Sequence, residues 1–383
     1  MKIISVVGAR PNFMKIAPFM EAIKRYNKSG NPPVDHILVH TGQHYDTRMN
    51  EAFFQSLNID RPDINLGIGS GTHAEQVGLT MIAFENVLLE YRPDWVVVVG
   101  DVNATIACSI TAKKLGIKVC HIEAGLRSRD LSMPEEINRL VTDRLSDLLL
   151  TPDRLSCKNL VDEGIDQSKI AFVGNIMIDT LDSWYKTAAS LNINTIILNN
   201  SMLPDSVDFQ QPYVVVTLHR PSNVDIPEVL SSIIDFFIYE VSTDSMILWP
   251  IHPRTLKMIK EFGLWGKVTE CNRIILLHPL DYHEMLRLNM DASVMITDSG
   301  GLQEECTVLG TPCLTLRNNT ERPITLKEWN GVSVLVGNDI NSIKKEYRKA
   351  LQQKRHPVRP ELWDGNTAER CLQQIILHST GKC

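Results

Sequence analysis

Thr297-Asp-Ser-Gly-Gly-Leu-Gln-Glu-Glu305 follows the apolar run from Ala292 to Ile296 and opens a segment of helical character. A strand that feeds through a glycine turn into a helix is the repeating unit of a parallel α/β sheet. Gly300 and Gly301 let a ligand approach the backbone, and the unpaired N–H groups of a helix start face an anion. Ser299 adds a hydroxyl donor, so we read the stretch as a cradle for a diphosphate. A plain helix cap at Ser299 is the competing reading, but Leu302 stands where a capping box needs Glu or Gln.

The same unit recurs along the chain. Upstream, Ile3 to Val7, His36 to His40, Trp95 to Val99, Val119 to Ile122, Leu148 to Leu150 and Ile170 to Val173 read as strands. Their continuous apolar character indicates a parallel sheet buried on both faces. Thr72 with Glu75 reads as a capping box, and Gly116 and Gly164 stand just past helix ends. From about Ser190 to Gln211 the sequence turns polar and irregular. The pattern then restarts with Tyr213 to Thr217, Ile247 to Ile251, Ile274 to Leu277, Ala292 to Ile296, Cys313 to Leu316 and Val334 to Val336. The predicted class is α/β, with two Rossmann-like, doubly wound parallel-sheet domains and a cleft between them. The N-terminal domain is expected over 1–178, completed by a C-terminal helix in 366–383, and the C-terminal domain over 179–365.

With 383 residues, 43% of them hydrophobic, the chain can bury two substantial cores. A net charge of -6 argues against nucleic acid or an anionic membrane surface as partner, so any anion must be met by a local site. No apolar run approaches membrane-spanning length and no signal segment opens the chain, which predicts a cytoplasmic protein. The 8 cysteines include no Cys-x-x-Cys pair, and Cys108, Cys120, Cys306 and Cys313 read as reduced core residues.

Charged residues gather at expected strand ends. In Gly8-Ala-Arg-Pro-Asn-Phe-Met-Lys15, Arg10 and Lys15 offer two cations to an anionic ligand. That turn has a single glycine where a dinucleotide fingerprint needs three, which argues against tightly bound NAD. Asp101, Glu123 and Glu135 each follow or adjoin a strand end, and such loops converge in a doubly wound sheet. Clustered carboxylates can serve as general acids and bases. Glu135 is also a helix-stabilising first-turn acid after Pro134, and Asp101 an ordinary N-cap, so the residues alone leave both roles open. Arg127, Arg129 and Arg139 can pair with these acids or with phosphate. His219 and His252 end two strands of the second half; the first can donate to phosphate or move a proton. No His or Cys cluster suggests a metal.

Together, Gly8-Ala-Arg-Pro-x-x-x-Lys15, Gly100-Asp101, His121-Ile-Glu-Ala-Gly-Leu-Arg127, Pro134-Glu-Glu-x-x-Arg139, His219-Arg220, Thr297 to Glu305 and Thr320-Glu-Arg-Pro323 resemble the non-hydrolysing UDP-N-acetylglucosamine 2-epimerases over nearly the whole chain. The resemblance implies a GT-B fold, a UDP-sugar substrate, no cofactor and a homodimer. It implies Asp101, Glu123, Glu135 and His219 as the catalytic set. Arg10, Lys15, Arg139, Ser299, Gly300, Gly301 and Arg322 match phosphate or substrate contacts, Glu305 a ribose contact, and Leu280 and Met285 positions facing the uracil. Bacterial members bind a second UDP-GlcNAc as activator near positions matching Gln43, His44, Arg220 and His252. The chain departs from the family pattern at Gly331-Val-Ser333, and Gly67 to Gly71 lacks an arginine that the second site calls for.

The chemistry this implies is reversible inversion at C2 of the sugar. That C–H bond is not adjacent to a carbonyl, so something must first acidify it. Departure of UDP from C1 does so without NAD, and a diphosphate cradle stabilises the leaving charge. Which carboxylate removes the proton and which returns it is left open by the sequence. A GT-B glycosyltransferase, a hydrolysing epimerase and a non-catalytic nucleotide-sugar sensor are the alternatives.

Overall fold

The computed structural model describes residues 1–42, 60–203, 209 and 212–381. Two compact units are formed, one from Met1–Ser183 with Pro360–Cys383 and the other from Trp184–Arg359. The first boundary falls inside the helix Ile176–Ala189.

The first unit carries seven strands: β1 (Lys2–Val7), β2 (Asp35–His40), β3 (Ile64–Asn65), β4 (Trp95–Val99), β5 (Lys118–Ile122), β6 (Leu148–Thr151) and β7 (Ile170–Phe172). They pair in the order β3-β2-β1-β4-β5-β6-β7, every pairing parallel. β4 is buried along its whole length, which explains its unbroken Trp-Val-Val-Val-Val text. The strand order reverses between β1 and β4, so the loops leaving their C-terminal ends flank a switch point, where ligands bind in open α/β sheets. The helix Thr367–Thr380 packs against Arg10–Lys28 in this unit. Asp179 caps its start by accepting from the Thr367 and Ala368 N–H groups at 3.1 and 2.7 Å.

The second unit carries β8 (Tyr213–Thr217), β9 (Met246–Pro250), β10 (Ile274–Leu277), β11 (Val294–Thr297), β12 (Cys313–Thr315) and β13 (Ser333–Leu335), in the order β10-β9-β8-β11-β12-β13. Alternate residues of β8 enter opposite cores: Val214 and Val216 pack with Trp249 and Phe237, Tyr213 and Val215 with Leu248 and Met295. The reversal here lies between β8 and β11, the strands that deliver His219 and Ser299.

Local signals agree with these elements. Thr72 and Glu75 form a reciprocal capping box, and Gly116 and Gly164 take φ of +73° and +78° at helix ends. Three expectations need correction. The two-residue strand β3 was not foreseen, being too short to show a period. β7 ends at Phe172 and β11 begins at Val294. The helix Ile193–Asn200 lies in text that reads as irregular; its asparagines hide an Ile193, Ile196, Ile197 stripe that packs on the core below an Asn192 cap. Among the described residues, Cys108, Cys120, Cys306, Cys313 and Cys371 are free and buried.

Candidate functional site

In the first unit the turn after β1 is fixed by Asn12. Its Oδ1 accepts from the Gly8 and Ala9 N–H groups at 3.2 and 2.9 Å, and its Nδ2 donates to the Val99 carbonyl at 2.9 Å. This ties the ends of β1 and β4 together. One turn on, buried Lys15 donates to Glu123 Oε2 in an ion pair shielded from water. Glu123 follows β5 at φ +71°, a left-handed backbone that costs a residue of this type about 1–3 kcal/mol. Its Oε1 is buried and has no hydrogen-bond partner among the described residues. Gly100, at φ +69°, lies so close that a Cβ there would stand 3.3 Å from Lys15 Nζ and 3.6 Å from Glu123 Oε2. A carboxylate oxygen in this position can take a proton or accept from a hydroxyl.

Asp101, partly exposed just past β4, accepts from Arg139 Nη1 through Oδ2. Arg139 is buried and also donates to Glu136 at 2.6 Å. Glu136 in turn accepts from Ser128 N, Ser128 Oγ and Arg129 N at 3.0, 3.0 and 2.8 Å. Burial alone would raise its carboxyl, but these donors outweigh burial and hold it below the ordinary range. Asn138 Nδ2 donates to the Asp101 carbonyl at 2.8 Å from the same helix, Pro134–Leu145. Glu135 sits partly exposed in the first turn of that helix. Arg127 pairs with Asp143 and Glu163, each at 2.7 Å, and Arg129 reaches Asn159 at 3.3 Å. Arg10 opens the helix Arg10–Lys28, and its side chain lies outside the described part.

In the second unit Ser299 holds the N-cap position of the helix Gly300–Leu309, yet its side chain makes no cap bond, which removes the plain-cap reading. A Cβ on Gly300 would come within 2.5 Å of Glu321 and 2.6 Å of Arg322, whereas one on Gly301 would meet nothing within 4 Å. A side chain at the first glycine would push on the buried Glu321–Arg322 ion pair. The second leaves open space over a helix start, as an anion would need. Arg322 lies buried between Glu304, at 2.8 Å, and Glu321, which Arg317 also holds at 2.6 Å. Glu305 is buried, and its carboxyl is pushed up to about 8 by burial first and by the Glu304 charge second, with Asn289 and Tyr282 opposing. Leu280 is in the core and Met285 packs partly against it.

His219, just past β8, keeps its ring partly exposed with Nδ1 2.8 Å from Asp298. Asp298 is fully buried and also accepts from His219 N at 3.0 Å, Arg220 N at 2.9 Å and Asn223 Nδ2 at 3.0 Å. Burial would raise this carboxyl, but His219 first, then Arg220 and Asn223, hold it below the ordinary range. His252 is exposed, caps the helix Pro253–Glu261 through Nδ1, and its ring lies 5.4 Å from that of His219. Arg220 Nε donates to the Asp298 carbonyl at 3.1 Å. Gln43 and His44 lie outside the described residues. Among the described residues, no group of His, Cys, Asp or Glu could hold a metal ion, and no helix is long and apolar enough to cross a membrane.

Residues 27–376 match the family described as UDP-N-acetylglucosamine 2-epimerase. The chain belongs to that family. A UDP-N-acetylglucosamine 2-epimerase of Methanocaldococcus jannaschii is 41% identical over 375 residues, covering 97% of this chain and 98% of the relative. The crystal structure of a UDP-GlcNAc 2-epimerase from that organism, in complex with UDP-GlcNAc and UDP, superposes with a TM-score of 0.87 at 40% identity, covering 98% of this chain and 99% of the other. The two parallel-sheet units are thus those of the family's GT-B fold. A UDP-2,3-diacetamido-2,3-dideoxy-D-glucuronate 2-epimerase of Pseudomonas aeruginosa is 37% identical, covering 92% of each chain.

Several residues that hold the candidate groups in place were not singled out from the sequence. Asp298 lies inside the stretch that set the fold, and its place between a strand end and a glycine pair was the available signal. His121 and Glu136 stand inside motifs that carry the family resemblance, but nothing in the sequence assigned them a role; Asn12 and Asp143 gave no signal, because each acts through a contact with a distant segment.

Proposed function

We propose that this chain interconverts UDP-N-acetylglucosamine and UDP-N-acetylmannosamine by eliminating UDP and adding it back. The observation that carries the reading is Glu123, strained at φ +71°, buried beside Lys15 and left with an unpartnered oxygen. In the forward direction the C1–O bond breaks and its electron pair leaves with UDP. A carboxylate takes the C2 proton from the face opposite the leaving group, and the C–H electrons become the C1–C2 double bond of 2-acetamidoglucal. Return of a proton to the other face of C2, with UDP re-forming its bond to C1, gives the epimer. The cycle is redox-neutral, so no step calls for a hydride acceptor. Asp101, Glu123 and Glu135 are the groups we assign to proton transfer. The open helix start at Ser299, Gly300 and Gly301, with His219, would stabilise the leaving diphosphate, an effect commonly worth several kcal/mol.

The test is isotopic. Oxygen-18 placed in the bridge between C1 and the β-phosphorus should scramble into the non-bridging positions during turnover, and product made in deuterium oxide should carry one deuterium at C2. Small amounts of UDP and 2-acetamidoglucal should escape on long incubation. Retention of the label in the bridge over many turnovers, with no glycal detected, would sink the elimination route. The 37% identity to the diacetamido-glucuronate 2-epimerase supports a second reading, in which the sugar is that uronate. Competition of both UDP-sugars for one sample of enzyme, compared by kcat/KM, decides between them.

A further inference from the structure

His121 is the penultimate residue of β5, fully buried, with Val98 and Leu149 opposite it on the neighbouring strands. Its Nδ1 is 2.6 Å from Asp143 Oδ1 and its Nε2 is 2.9 Å from the Gly100 carbonyl. A backbone carbonyl can only accept. Asp143 also accepts from Arg127 Nη1 at 2.7 Å and Gly125 N at 3.0 Å; burial would raise its carboxyl, but His121 first and Arg127 second hold it below the ordinary range. Both ring nitrogens therefore face acceptors, and both bonds exist at once only while each nitrogen carries its proton.

The elements this ring joins are the ones that present the acids. Gly100, at φ +69°, is gripped on both sides: its N–H donates to the Ile122 carbonyl at 3.2 Å, and its carbonyl receives His121. Asp101 is the next residue. Glu123 follows two residues after His121, and Asp143 belongs to the helix that carries Glu135 and Arg139. We propose that His121 is a positioning residue for the C2 chemistry: through Nε2 it fastens the Gly100-Asp101 turn to the end of β5 and so fixes Asp101 relative to Glu123, while Asp143, bound at Nδ1, steadies the ring. This rests on the reading of Asp101 and Glu123 as proton-transfer groups. Misplacing such a group by about 1 Å can lower a rate by ~100-fold.

Two substitutions separate the two arms of the ring. His121→Asn keeps a donor at the reach of Nδ1 and abandons Gly100; His121→Gln extends a donor to the reach of Nε2. With UDP-N-acetylglucosamine as substrate, His121→Asn should lower kcat by about 100-fold, with UDP affinity measured by calorimetry unchanged, while His121→Gln stays within about tenfold of the parent. In nitrogen-15 histidine spectra of the unsubstituted chain, two slowly exchanging ring N–H signals should be present that disappear in His121→Gln. A single ring N–H signal, equal losses in the two variants, or a parallel loss of UDP binding would overturn the proposal. If the unsubstituted chain turns over UDP-N-acetylglucosamine and His121→Asn does so equally well, only the positioning role falls. If the unsubstituted chain produces no epimer from either UDP-sugar, it is the epimerase reading that falls.

Discussion

Asp298 holds His219 twice, accepting its backbone N–H at 3.0 Å and its ring Nδ1 at 2.8 Å. With the proton on Nδ1 committed to the buried carboxylate, the other ring nitrogen is the one presented outward. Asp298→Asn should misorient the ring and lower turnover by about 100-fold. It should also remove about 1–3 kcal/mol of stability by leaving buried donors unmatched. The pH dependence has a definite sign. A carboxyl depressed in the folded state stabilises above its unfolded value of about 3.9 and loses that contribution as the pH falls through the folded value. Urea titrations should therefore show the gap between parent and variant full at neutral pH and shrinking on acidification; a gap independent of pH would remove the charge from the argument.

Glu305 behaves in the opposite sense. Its carboxyl is raised from 4.5 to about 8, so the folded state favours the protonated form. The stability of the parent chain is unpenalised below the unfolded value and is eroded progressively between the two values. Glu305→Gln, which cannot ionise, should gain stability relative to the parent as the pH rises from about 5 to 8. Parallel stability curves for the two proteins across that range would contradict the assignment.

The two glycines of the cradle should respond differently to alanine. Gly301→Ala meets open space in a helix and should leave thermal stability unchanged or raise it by about 0.5–1 kcal/mol, while UDP affinity drops about tenfold, ~1.4 kcal/mol. Gly300→Ala pushes against Glu321 and Arg322 and should lower the melting temperature as well as the affinity. Equal UDP affinity in parent and Gly301→Ala would show that no ligand occupies that space.

Glu123→Gln should lower turnover by about 10²–10⁴-fold, the range associated with loss of a general acid or base, and leave UDP affinity near that of the parent. Full activity in this variant would take Glu123 out of the proton-transfer set and weaken the meaning given to its strained backbone.

The sequence by itself determined two parallel sheets, because burial on both faces writes itself into each strand as a continuous apolar run such as Trp95-Val-Val-Val-Val99. It also determined that charged and polar residues leave those strands at their C-terminal ends, since Asp101, Glu123, His219 and Ser299 stand within three residues of the runs. These are short-range properties, legible within a few residues. Only the tertiary structure decided how the charges are partnered: Lys15 with Glu123, Arg139 shared by Asp101 and Glu136, and His121 bridging Gly100 and Asp143. It alone decided that Glu123 sits in a left-handed backbone and that Gly300 is packed while Gly301 is open. The reason is that the interaction of a buried charge depends on distances through space, and those are set by strand order across the sheet, where Lys15 and Glu123 meet although more than one hundred positions separate them in the chain.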